Sequence, residues 1–217
     1  MMRLFNILAA DEAKKIFDWC ENQTFQDGKA TAHGKAKDIK DNEQLMGANH
    51  PQVAKWIEQL KAKFMTDATL KAYTQAQEFV GMRINSYKTE QTYGWHVDMG
   101  IMNGVRTDMS FTIFLTPKAD YEGGELEINH GSHITKIKGD AGQVVIYPTG
   151  LLHRVTPVTS GRRICFIGWI KSNIAAQDDR DALFTLAAEI GRLKKLYSDD
   201  SDKLSYVLQH MTRALAR

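Results

Sequence analysis

The sequence predicts a mainly β protein with flanking helices, an antiparallel sandwich or jelly roll. Three observations carry this. Between Phe79 and Lys171, eight short β-rich runs follow one another, separated by Gly, Pro, Asn and Asp turn signals. Before Glu78 and after Ser172 the apolar residues recur instead at helical intervals. At 217 residues the chain is long enough for one full-sized domain with a small helical addition.

The elements follow in order. Ala9 to Gln23 carries Ile16, Phe17, Trp19 and Cys20 among charges and reads as a helix with Asp11 as its N-cap. Asp27 to Asn42 is rich in Lys, Gly and Asp and reads as a solvated loop; the alternative is a basic lid near an anionic substrate. Pro51 to Tyr73 is an amphipathic helix with Pro51 in its first turn, backing a sheet. The β-rich runs are 79–87, 93–98, 109–116, 125–129, 134–138, 143–147, 152–158 and 162–171. Asp178 to Leu196 and Asp200 to Leu215 are Leu- and Ala-rich with a helical period. The division expected is 1–174 as the main domain, with its β core about 78–171, and 175–217 as a C-terminal helical appendage.

Composition narrows the class. Hydrophobic residues make up 43% and charged residues 25%, with a net charge of +2, so nothing points to nucleic acid or an anionic membrane. Cys20 and Cys165 are too few for a disulfide framework and read as reduced core residues. With no signal peptide and no apolar run long enough to span a bilayer, the expected location is cytoplasmic.

The chemistry centres on Tyr93-Gly94-Trp95-His96-Val97-Asp98. Residues two apart on a strand share a face, roughly 7 Å apart, which suits two ligands of one ion. His153, arriving from another strand, completes two imidazoles and a carboxylate. That set leaves positions open on the metal and is characteristic of non-haem Fe(II) oxygenases. Ten residues further on stands Arg163, on a strand apolar on both faces. A buried guanidinium needs a partner, and its planar fork matches a carboxylate. Arg162 falls on the opposite face. Asp108 is the rival, purely structural partner for Arg163.

These residues together resemble the Fe(II)/2-oxoglutarate-dependent dioxygenases, and within them the PKHD-type hydroxylases, which are similar to the catalytic domain of prolyl 4-hydroxylases. Tyr93 to Asp98, Arg106-Thr-Asp-Met-Ser110, Asp120-Tyr-Glu-Gly-Gly-Glu-Leu126, Leu152-His-Arg-Val-Thr-Pro-Val158 and Phe25 to Ala32 carry the resemblance, which covers nearly the whole chain. It implies a double-stranded β-helix (jelly-roll) barrel in which His96, Asp98 and His153 bind Fe(II). Arg163 would hold the distal carboxylate of 2-oxoglutarate, Trp169 would wall that pocket, and Tyr87 would reach the co-substrate. The implied reaction hydroxylates a small-molecule or peptide/protein substrate with O2, releasing succinate and CO2, with L-ascorbate as a reductant. The arginine stands where prolyl hydroxylases commonly have a lysine, and the substrate loops show no match.

Two other classes compete. A zinc hydrolase could use the same ligands, but no H-E-x-x-H-type base accompanies them. A catalytically silent binding module would not need a complete ligand set and a phased buried arginine. His130 and His133 read as turn residues, and His33, His50 and His210 as exposed. Trp95 reads as core. The C-terminal helices offer a homodimer surface.

Overall fold

The computed structural model describes residues 2–31, 34–196 and 201–216, without the side chains of Ser201 and Asp202. His33, and residues 197–200 between the two C-terminal helices, lie outside the described residues. All eight β-rich runs form strands. The run 152–158 is interrupted, and its last residue opens a separate strand, Val158–Gly161.

Two antiparallel sheets form the jelly roll. The larger has seven strands in the order Arg3–Asn6, Gln143–Pro148, Met109–Phe114, Arg163–Ser172, Ala76–Tyr87, Glu43–Met46 and Gln26–Asp27. The smaller has five: Ile134–Ile137, Leu126–Asn129, Leu152–Val155, Thr92–His96 and Lys40–Asp41. The β core therefore extends beyond 78–171, because the N-terminal region supplies edge strands to both sheets. Arg3–Asn6 pairs with Gln143–Pro148, and Glu43–Met46 with Ala76–Tyr87. Strands of four residues are too short to declare a period, and only their partners make them strands.

The strand Arg163–Ser172 shows how the layers divide. Ile164, Phe166 and Ile170 point into the main core, beneath the helices Ala10–Glu21, Pro51–Thr66 and Ala68–Thr74. Phe64, fully buried, packs its ring 5.3 Å from Phe79 and 5.1 Å from Phe111. Removing such a side chain costs about 3–5 kcal/mol. The other face of the strand, with Arg163 and Trp169, turns toward the interior of the roll.

Local chemistry corrects two helix boundaries. Ala9, not Asp11, is the first N-cap; its backbone N–H donates to the Glu12 carboxylate at 2.8 Å, while Asp11 lies in the first turn, where an acid also meets the positive end of the helix dipole. The segment Pro51 to Tyr73 is two helices. Asp67 ends the first and caps the second, its carboxylate accepting from the N–H groups of Thr69 and Leu70.

The C-terminal helices are Gln177–Leu196 and Ser201–Leu215. Phe184 of the first joins the main core edge-on to Tyr73, with the Arg3 guanidinium 4.7 Å over its ring. Both cysteines are free and buried, and no helix among the described residues is long and apolar enough to cross a membrane.

Candidate active site

The smaller sheet presents the ligand set. His153 of Leu152–Val155 stands directly across from His96 at the end of Thr92–His96, and the register slips just beyond them. Asp98 follows where that strand has ended. His96 Nε2 lies 3.7 Å from Asp98 Oδ1, and His153 Nε2 lies 3.5 Å from Asp98 Oδ2. One ligand atom from each residue lies within 4.8 Å of the others, so the three can close on a single ion.

Neighbouring backbone aims the donors. His96 Nδ1 donates to the Gly94 carbonyl and His153 Nδ1 to the Leu151 carbonyl, each at 2.8 Å. A carbonyl can only accept, so Nδ1 carries the proton and Nε2 keeps its lone pair for a metal. Burial first, then the adjacent His153, holds His96 neutral well below the usual imidazole range, against the pull of Asp98. Asp98 Oδ2 accepts from Ser110 Oγ at 2.7 Å and from the Trp169 indole N–H at 2.9 Å, leaving Oδ1 free to ligate. Tyr93 stacks on His96 with 3.6 Å between ring centroids.

These groups border a cavity of about 550 Å³ that reaches inward to Arg163. Arg163 is 1% exposed, and among the described residues no carboxylate pairs with it. Nη1 donates to Cys165 Sγ at 3.0 Å, while Nε and Nη2 are buried without partners. Its guanidinium lies 5.2 Å from the Tyr87 ring and 5.7 Å from that of Phe114. Asp108 is engaged elsewhere, accepting from Arg106 Nε and the Ser172 N–H. Arg162, as its face predicts, points away, donating to Ser86 and Glu21. An orphaned fork and three aimed donors lining one cavity fit a chelating dicarboxylate spanning a metal ion and the arginine.

The structure thus brings together His96, Asp98, His153, Arg163, Tyr87 and Trp169 around one cavity. The alternation after Arg106 leaves Asp108 and Ser110 facing either the pocket or each other, with no role assigned; the structure places Ser110 on the cavity, bonded to Asp98. Sequence reasoning missed Tyr121, whose buried hydroxyl faces the Arg163 guanidinium. Lys40 and Arg83 line the cavity too. The segment 27–42 is therefore not simply solvated: Ala30, Thr31, Ala36 and Lys40 wall the site, while Lys35 and Lys37 stay exposed. Trp95 is half-buried rather than core, under the Arg154 guanidinium at 4.7 Å. His130 and His133 stack across a hairpin and join no cluster of metal donors among the described residues. Among the described residues no Glu lines the cavity.

A jelly roll holding two imidazoles and a carboxylate beside an unpaired arginine defines an oxygenase that uses Fe(II) and 2-oxoglutarate. The sequence agrees: residues 82–171 match the 2OG-Fe(II) oxygenase superfamily. Over its whole length the chain is 38% identical to a PKHD-type hydroxylase of Alteromonas mediterranea, covering 98% of that protein. It is 35% identical to one of Idiomarina loihiensis, over 98% of this chain and 97% of the relative. The chain belongs to the PKHD-type hydroxylases and is a 2-oxoglutarate-dependent dioxygenase. A prolyl-4-hydroxylase of Pseudomonas putida superposes on 78% of this chain and 92% of its own, with a TM-score of 0.56 at 17% identity, a likeness of fold alone. A 2OG-Fe(II) oxygenase family protein of Burkholderia pseudomallei superposes with the same TM-score over 77% of this chain and 84% of its own, at 15% identity.

Proposed function

We propose that Fe(II) is held by His96 Nε2, Asp98 and His153 Nε2, and that Arg163 seats the distal carboxylate of 2-oxoglutarate. One observation carries this reading: Arg163 is buried, lacks an acidic partner, and opens into the cavity that the three ligands border. A buried guanidinium left unpaired is unfavourable unless a ligand completes it. When bound, iron and 2-oxoglutarate supply the oxidising chemistry, consuming O2 and releasing succinate and CO2 as a substrate carbon is hydroxylated.

The chain's residues bind and orient. Gly94 and Leu151 fix the imidazole tautomers through their carbonyls. Ser110 and Trp169 hold Asp98 so that one oxygen faces the metal. Trp169 also walls the cavity, and Tyr87 packs its ring under the guanidinium. Aromatic walls exclude water from the reacting centre.

L-ascorbate serves as reductant and the protein works in the cytoplasm, where its buried thiols stay reduced. Residues 1–174 form the catalytic unit, and 175–217 an appendage whose exposed Tyr206, Val207 and Met211 supply a homodimer surface. The substrate is a small molecule or a peptide/protein side chain.

Anaerobic addition of 2-oxoglutarate to the Fe(II)-loaded protein tests the site. A weak visible charge-transfer band is expected, absent in His96→Ala and shifted to much higher 2-oxoglutarate concentration in Arg163→Ala. Wild-type protein that binds Fe(II) yet shows no band overturns the assignment.

A further inference from the structure

Three cation–aromatic pairs line the cavity, and the proposed co-substrate uses only one. Arg163 lies against Tyr87. Lys40 Nζ lies 5.4 Å from the Tyr93 ring centroid, and the Arg83 guanidinium 5.0 Å from that of Trp169. Tyr93 stacks on His96, and Trp169 bonds Asp98, so each remaining cation is one aromatic ring away from a metal ligand. Register separates Arg83 from the co-substrate arginine. On Ala76–Tyr87, Tyr87 stands across from Arg163, whereas Arg83 stands four residues away, across from Ile167.

Both cations are buried, Lys40 at 2% exposure and Arg83 at 9%. Neither forms an ion pair among the described residues. Lys40 Nζ donates to Thr31 Oγ1 at 2.9 Å, and Arg83 Nη1 to the Gly81 carbonyl at 3.1 Å, while Arg83 Nε has no partner. They also repel each other: burial first, then Arg83, pushes the Lys40 ammonium down to about 7. Asp98 draws on both from beyond ion-pair range, and two buried cations without a paired acid are unfavourable unless a bound anion completes them. The co-substrate does not fill that role. The charges of Fe(II) and Arg163 balance Asp98 and the two carboxylates of 2-oxoglutarate, and Lys40 and Arg83 are left over.

We infer that Lys40 and Arg83 form an anion subsite, and that the substrate hydroxylated here carries a carboxylate or phosphate group seated between them beside the metal. This rests on the Fe(II) and 2-oxoglutarate reading above. Lys40 belongs to the strand Lys40–Asp41, which pairs with the metal-bearing strand through Lys40 and Tyr93, so the N-terminal segment brings substrate recognition to the site. The apolar Val97 and Met99 at the cavity edge suit the rest of an amphiphilic acid.

The test uses wild-type protein, Lys40→Met, Arg83→Met and the conservative Lys40→Arg and Arg83→Lys. Organic acids and phosphate esters, each beside its neutral amide or alcohol, are screened for stimulation of succinate release. Stimulation at least tenfold greater for the anionic member is expected, with carboxylates and phosphates compared to distinguish the source. The apolar variants should raise KM for the stimulating acid at least tenfold, with partial rescue by Arg or Lys. Equal stimulation by the neutral members overturns the inference, as does loss of the Fe(II)–2-oxoglutarate band in the apolar variants, which would place these cations in the co-substrate cradle. A second arm follows 31P line broadening of inorganic phosphate added to metal-free protein. Broadening in wild type that disappears in both apolar variants, which melt normally, supports the subsite; equal broadening in all overturns it. Because this arm needs neither iron nor 2-oxoglutarate, failure of the oxygenase assignment and failure of the anion subsite are read separately.

Discussion

The indole N–H of Trp169 donates to Asp98 Oδ2 at 2.9 Å, joining a residue of the larger sheet to a carboxylate two residues past the end of a strand of the smaller one. Ser110 Oγ reaches the same oxygen at 2.7 Å. Orienting partners of this kind are worth about 10–100-fold in metal affinity. Trp169→Phe keeps the wall but removes the donor, and is expected to weaken Mn(II) binding, used as a redox-inert probe, about tenfold. Ser110→Ala should do the same, and the double variant more. Unchanged Mn(II) titrations in both single variants would remove the orienting role.

Gly81 makes the position of Trp169 available. Its φ is +63°, in the left-handed region, and a Cβ there would come within 2.7 Å of the Trp169 ring. Gly81→Ala is expected to cost about 1–3 kcal/mol from backbone strain. By displacing the indole it should also reproduce the Mn(II) defect of Trp169→Phe. A variant that melts early yet binds Mn(II) normally would show that the ring can move while keeping its bond.

Arg163 is buried with no acidic partner among the described residues. Arg163→Met replaces an unpaired buried charge with an apolar side chain, so the ligand-free variant should melt no lower than wild type. The difference appears with 2-oxoglutarate. At about 100 times its dissociation constant, a ligand stabilises the native state by about 2.7 kcal/mol. Wild-type metal-loaded protein should show that rise in thermal melting and Arg163→Met should not. An equal rise in both would mean that another group holds the distal carboxylate.

Lys40 gives a pH prediction. Burial, with Arg83 adding to it and Asp98 and Asp27 opposing, lowers its folded-state value to about 7, against about 10.4 for an unfolded lysine. Thr31 Oγ1 and the Tyr93 ring also face the ammonium. Between these values the unfolded chain binds the extra proton, so this group's contribution to stability rises with pH from about 7 to 10 and is unfavourable below. Lys40→Met should therefore raise stability at pH 7, with the gain shrinking toward pH 10. Chemical denaturation at the two pH values checks it; a gain that grows with pH contradicts the assignment.

Much of this was legible before folding. Turn residues and β-rich runs marked eight stretches that form strands of the roll, and one arginine out of character in a buried strand pointed to the end proposed for the co-substrate. What escaped had no local signature. Arg3–Asn6 and Glu43–Met46 are strands only because longer strands lie beside them. Asp67 falls where the apolar spacing breaks between Phe64 and Leu70, and the cap that divides the helix there is a local hydrogen bond that periodicity does not report.

The sequence by itself determined the family and the candidate donors, His96, Asp98 and His153, because these depend on which donor atoms exist and on a two-residue period. Only the tertiary structure decided which oxygen of Asp98 is taken up by Ser110 and Trp169, that among the described residues no acid pairs with Arg163, and that Lys40 and Arg83 share its cavity. Those relations join residues far apart in the chain, and burial and charge pairing are properties of what surrounds a side chain, which local sequence does not contain.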